Sequence, residues 1–209
     1  MGFIANINEL NSAKETYKSY LEEEINNSNN LNSEIENFIS LVNGNDLNGK
    51  LWNATNKKVN VYKALNNQRR IAISNFKSTL ESELNKLINA WKSDFGDEIN
   101  DEKLAELEAE VIMLKNTIDS LYAELIETIT DEHGNTSTRE NPYARDAINK
   151  AEKDLAEIER IINEIKEYRA LTYSAIDNIE SSFTKARIFD LGAVKVVPTA
   201  MWTYTESGE

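Results

Sequence analysis

No cysteine occurs in this chain, and histidine occurs only at position 133. The first absence excludes disulfides, thiolate nucleophiles and zinc–sulfur centres. The second excludes a di-iron bundle, which takes Glu-x-x-His from each of two helices. His133 sits beside Asp131 and Glu132, but the spacing is not that of a helix-borne metal motif, so no metal is expected. Prolines number two and glycines seven in 209 residues, and so few breakers favour few, long helices. No apolar run reaches the roughly 20 residues that span a bilayer, so no stable membrane insertion is expected. The opening Met1-Gly2-Phe3-Ile4-Ala5-Asn6 lacks the basic and apolar regions of a Sec signal peptide. There is no glycine-rich phosphate loop, and carboxylates such as Glu22-Glu23-Glu24 mark no cleft. Paired acid/base chemistry needs two carboxyl groups facing one site. We therefore expect no catalytic residue, no cofactor and no enzyme activity.

Acidic charge is abundant, with a net formal charge of -13. Residues 1–100 carry 11 Lys/Arg against 13 Asp/Glu, and the remainder 12 against 23. Nucleic-acid binding is driven by cationic side chains, so this balance argues against DNA, RNA and anionic lipid. The pairs Lys57-Lys58 and Arg69-Arg70 read as solvated helix-face charge. Asparagine fills 21 of the first 100 positions. It is a mediocre helix former, because its side chain competes for backbone hydrogen bonds. The tract Asn26-Asn27-Ser28-Asn29-Asn30 is thus expected to bend or fray.

Apolar periodicity divides the chain into four helices. The first spans about 8–43, is capped by Asn8 or Asn11, and ends at Gly44. The second spans about 51–93, with Ile73, Phe76, Leu80, Leu84, Leu87 and Trp91 advancing by three or four, and stops at Phe95-Gly96-Asp97. The third, about 101–129, carries the heptad seam Leu104, Leu107, Val111, Leu114, Ile118, Leu121 and Leu125, which requires a partner helix. Residues 131–142 read as a loop. The fourth helix, about 143–188, uses Ile148, Ala151, Leu155, Ile158, Ile162 and Ile165, then Ile176, Ile179 and Phe183. The expected fold class is all-α, an elongated bundle of long antiparallel helices with helical hairpins. A short extended or β-prone tail over 191–209 follows, because Val194-Lys195-Val196-Val197 and Trp202-Thr203-Tyr204 favour strand. Aromatic anchors often dominate helix-on-helix interfaces. Trp52, Tyr62, Phe76, Trp91, Tyr168, Tyr173 and Phe183 are therefore partner-binding candidates, with internal packing as the alternative.

The junction Asp46-Leu47-Asn48-Gly49-Lys50-Leu51-Trp52 places a Leu-x-Gly turn (Leu47, Asn48, Gly49) between two long helices. In this the chain resembles the LXG domain of type VII secretion system polymorphic toxins, a relative of the WXG100 hairpins, over about residues 5–190. The resemblance implies a non-catalytic targeting domain over 1–190, with 191–209 as a tail or the start of a linker to a following toxin domain. It also implies binding to small helical WXG100-like or LXG-associated proteins and recognition by the secretion machinery of a Gram-positive bacterium. The protein would be cytoplasmic before export and then secreted without a Sec signal peptide. Two other readings fit the pattern: a self-assembling phage or cell-surface coiled coil, and an antitoxin or immunity protein whose acidic surface covers a basic enzyme.

A structural turn at this junction has a measurable consequence. Leu47→Ala should lower stability by about 2–5 kcal/mol if the leucine plugs the hairpin end. Urea denaturation followed by circular dichroism measures this, and an unchanged midpoint would remove Leu47 from the junction.

Overall fold

The computed structural model describes residues 3–44 and 49–206, with side chains described as far as residue 187 and Gly44 excepted. The elements in order are β1 (Ile4–Asn6), α1 (Ile7–Gly44), α2 (Lys50–Ala90), a 3-10 turn (Ser93–Phe95), β2 (Glu98–Asn100), α3 (Asp101–Glu124), β3 (Ile126–Thr130), β4 (Thr136–Glu140) and α4 (Pro142–Glu206). The chain is mostly helical, and its long helices pair as antiparallel hairpins. Two compact units form, one from Met1–Asn8 with Ala90–Leu171, the other from Glu9–Asn89 with Thr172–Glu209.

The second unit is built on α1 and α2. At 1.5 Å per residue, their 38 and 41 residues extend about 57 and 62 Å. Their side-chain bonds define the pairing. Lys77 meets Glu22, Arg70 meets Asn29, Asn67 meets Asn32, Lys63 meets Glu36 and Asn56 meets Asn43. As the α1 number rises the α2 number falls in step, so the helices are antiparallel and the reversal lies between 44 and 50. Leu47 and Asn48 lie outside the described residues. Gly49 has φ +140° with open space around it, a conformation that glycine adopts without penalty. Its carbonyl accepts the Asn53 N–H at 3.1 Å, which opens α2.

Midway along the hairpin the interface is polar. Ser28 Oγ donates to Asn66 Oδ1 at 2.9 Å, and Asn66 Nδ2 donates to the Ser28 carbonyl at 2.7 Å and to Asn32 Oδ1 at 2.9 Å. Asn32 Nδ2 in turn donates to Asn67 Oδ1 at 2.7 Å. Ser28, Asn32 and Asn66 are all buried. The tract expected to bend or fray is continuous helix, tied across the interface by Ser28, which bonds Asn66, and by Asn29, whose Oδ1 accepts from Arg70 at 2.7 Å. Toward the chain ends an apolar cluster takes over, with Leu21, Leu80 and Leu84 buried and Leu10, Ile73, Phe76 and Ile179 packed on them.

The first unit is a second hairpin. The seam predicted for α3 faces α4. Leu104, Ile118 and Leu125 are buried, as are Ile148, Ile162 and Ile165 opposite. Lys166–Glu108, Lys115–Glu159 and Tyr122–Glu152 bridge the two helices in antiparallel register. Asn100 caps α3 by accepting the Lys103 N–H at 2.7 Å, and Asp101 and Glu102 follow in the first turn, where the helix dipole favours negative charge.

Several expectations need correcting. The N-terminal helix begins at Ile7 and is capped not by Asn8 or Asn11 but by Asn6, whose Oδ1 accepts the Asn8 N–H at 2.9 Å. The segment before it is a strand: Ile4–Asn6 pairs antiparallel with Glu98–Asn100. The third helix ends at Glu124 rather than 129, and the expected loop over 131–142 consists of a turn over 131–135 and the strand Thr136–Glu140. Ile126–Thr130 pairs with Thr136–Glu140, because the β-branched run Ile-Glu-Thr-Ile-Thr packs better on a pleat than on a helix. The turn between them is held by Asp131, whose carboxylate accepts the N–H groups of His133 and Asn135 at 2.9 and 2.8 Å. The expected extended tail is also overturned as far as Glu206, since α4 continues to that residue. Extending an existing helix adds one hydrogen bond per residue fixed, whereas a strand needs a neighbouring ladder.

The buried amide layer yields a test. Asn66→Ala leaves the Ser28 carbonyl and Asn32 Oδ1 buried without this donor, and should cost about 1–3 kcal/mol. Replacing Ser28, Asn32 and Asn66 together by apolar residues should recover much of that loss. Denaturant midpoints of the single and triple variants measure both effects.

Candidate functional site

Three helices of the second unit line an apolar groove of about 610 Å³. Tyr17, Tyr20, Leu21 and Glu24 come from α1 at spacings of three, one and three, so they share a face. Arg69, Ile73, Phe76 and Leu80 advance by four, three and four along α2, and Ile179 and Phe183 are one turn apart on α4. Leu21 and Leu80 form the buried floor. Tyr17, Tyr20 and Phe183 are about half exposed and form the rim. The Phe76 and Phe183 rings lie 5.5 Å apart, tilted by 57°, an aromatic pairing favoured by ring quadrupoles. Glu24 and Arg69 are paired at 3.0 Å on the lining. On the same hairpin, the bonded Lys77 ammonium holds the Glu22 carboxyl below its ordinary range, and Lys77 is raised in return.

The seven aromatic candidates separate into different environments. Phe76 and Phe183 meet in the groove. Tyr173 is exposed on α4, while Trp52 and Tyr62 are half-buried on α2. Trp91 and Tyr168 belong to the first unit, where they pack with Phe95. Ring centroids are 5.2 Å apart for Trp91–Tyr168, 5.5 Å for Trp91–Phe95 and 5.7 Å for Phe95–Tyr168, all edge-on. The Trp91 indole N–H donates to the Gly96 carbonyl at 2.9 Å. Tyr168 is only 3% exposed, so it serves as core and presents no surface to a partner. Of the turn motif only Gly49 is described, and Leu47 and Asn48 lie outside the described residues.

Sequence reasoning missed Tyr20 as a groove residue, although its i+3 spacing from Tyr17 was a usable signal. It also missed the Asp94–Arg160 tie beside the aromatic core. There Arg160 donates to Asp94, Glu157 and Glu164, holding the Asp94 and Glu157 carboxyls below their usual range.

Among the described residues, no group of three His, Asp or Glu is placed to hold a metal ion, and no helix is long and apolar enough to cross a membrane. Comparison with protein-family models, curated proteins and solved structures found no match to this chain.

Burial pushes the Tyr168 phenol up to about 12. The folded state thus keeps this phenol neutral through the range in which the unfolded chain ionises it, near 10. The stability that results is complete below pH ~10 and is lost progressively between about 10 and 12. Tyr168→Phe should show a shallower fall in melting temperature over that interval than the parent protein, as read from thermal melts at stepped pH.

Proposed function

We propose that this chain is a non-catalytic, partner-binding helical module of the LXG type. In this reading it docks small helical WXG100-like proteins and so targets an attached effector to type VII secretion. The observation that carries the reading is the three-helix groove, with its buried leucine floor, aromatic rim and single ion pair. A groove of this composition suits the apolar face of an amphipathic helix, whose anchors recur at i, i+3, i+4 and i+7. Gly49, the one described residue of the Leu47-Asn48-Gly49 motif, directly precedes α2 with φ +140°, which agrees with the turn that the family resemblance calls for. The acidic excess is compatible with a protein partner and disfavours nucleic acid.

Co-expression with small helical proteins of roughly 100 residues encoded beside this gene, followed by co-purification, tests the reading. A stable complex should form. Phe76→Ala and Phe183→Ala should each weaken it about 30-fold, as expected for buried aromatic anchors worth about 2 kcal/mol or more. Tyr143→Ala, which alters an exposed side chain of the first unit, should leave it unchanged. Retention of none of these proteins, or complexes indifferent to Phe76 and Phe183, would overturn the assignment.

A further inference from the structure

The β3–β4 hairpin is a two-stranded sheet, and nine of its ten strand residues are exposed, Glu127 alone being half-buried. Its hydrogen-bonding phase follows from the bonds at its ends. The Asp131 N–H donates to the Asn135 carbonyl at 2.9 Å, and the Asn141 N–H donates to the Leu125 carbonyl at 2.8 Å. In an antiparallel ladder, bonded and non-bonded pairs alternate. With the observed register, the pairs Glu127–Arg139 and Ile129–Ser137 are therefore the bonded ones. Ile126, Thr128 and Thr130 then turn their N–H and C=O groups outward along the free edge of β3. Thr136, Thr138 and Glu140 do the same along β4.

An open edge of this kind is a template for another strand unless it carries protecting residues, chiefly lysine, proline or a bulge. The β3 strand has neither lysine nor proline, its one charged residue, Glu127, is paired with Arg139 at 3.5 Å within the hairpin, and its pairing is regular over all five residues. It also exposes two isoleucines, Ile126 at 57% and Ile129 at 39%, whereas β4 carries no apolar side chain. Isolated two-stranded ribbons are marginal, and three or more strands stabilise one another.

We propose that the free edge of β3 pairs with the same edge of a second copy of this chain, forming a four-stranded antiparallel sheet with its two-fold axis at Thr128. This register uses all three outward residues. Thr128 faces Thr128 of the second copy, and Ile126 and Thr130 face each other twice, so that three residue pairs exchange six hydrogen bonds. Glu127 falls opposite Ile129, so no like charges are directly opposed, and each Glu127 keeps Arg139 of its own copy at 3.5 Å. The two Ile129 side chains and the two Glu127 side chains form the two diagonals across the axis, so the Glu127 charges are offset from one another and not directly opposed. On the opposite face the threonines align as Thr138, Thr128, Thr128 and Thr138, and cross-strand threonine pairs are favourable. Such a contact is isologous and closes at two copies. It is independent of the groove and of the function proposed above.

Sedimentation of this chain over a range of concentrations tests the proposal. The expected result is a concentration-dependent doubling of mass. Thr128→Glu and Thr128→Lys each oppose like charges across the axis and should weaken self-association at least ten-fold. Mixing the two variants should restore the double mass as a heterodimer. Thr128→Pro removes an outward N–H and no ladder donor, and should also give monomer with unchanged helical circular dichroism. Thr138→Glu, on the other strand, should leave the dimer intact. A parent protein that stays monomeric throughout, or a dimer dispersed by the Thr138 substitution and not by those at Thr128, would overturn the proposal.

Discussion

Hydrogen bonding between amide side chains inside a helix–helix interface is the constraint on which the groove-bearing unit depends. Apolar side chains alone allow two long helices to slide by a turn with little change in buried area. Ser28, Asn32, Asn66 and Asn67 remove that freedom, because each buried donor meets its acceptor at one register only. A displaced register would leave buried amides unsatisfied, at a cost comparable to a sizeable share of a domain's net stability. The same register brings Tyr17 and Tyr20 opposite Phe76 and Leu80. Groove geometry is thus fixed from some distance along the hairpin by groups that do not line it. Polar layers in coiled coils act in the same way, specifying alignment more than strength.

The other unit reaches definition by different chemistry. Its α3–α4 seam is uniformly apolar, and its long-range ties are ionic or aromatic. Asp101 accepts the Phe3 N–H at 2.8 Å and pairs with Arg169 at 2.9 Å, while the Arg169 guanidinium lies over the Phe3 ring. Exposed ion pairs contribute little individually. Here the side chains essentially sealed from water are Phe95, Ile99 and Ile165, with Ile148 in a separate cluster beside Leu125 and Ala144.

Helices were legible in the sequence wherever apolar residues repeated over several turns. The α3 seam is the clearest case, since its predicted positions are the ones turned inward. Strands of three residues were not legible, because Ile4–Asn6 and Glu98–Asn100 are too short to display an alternation. The end of α3 was misplaced because Leu121 and Leu125 keep helical spacing up to the first β-branched residues of β3. At the site, Phe76 and Phe183 were identifiable as candidates, but so were Trp91 and Tyr168. An aromatic residue at helical spacing has the same signature whether it meets solvent, a partner or its own core. Only the three-dimensional neighbours separate these cases. The asparagine layer was invisible for a related reason, since propensity describes what an isolated asparagine prefers and not what a facing amide offers it.

The ladder between β1 and β2 has a kinetic consequence. It joins residues 4–6 to residues 98–100, so forming it in an otherwise unstructured chain means closing a loop of nearly a hundred residues, and the entropic cost of closure grows with the logarithm of that length. The α1–α2 hairpin occupies almost all of the intervening sequence, and its own contacts are nested about the reversal between 44 and 50. Once it has zipped, the effective loop shrinks to a few residues. The order of assembly is therefore built into the topology: the inserted hairpin condenses first, and the discontinuous unit, including the amino-terminal strand, completes its core afterwards. On a translating ribosome, that strand must wait until at least residue 100 has emerged.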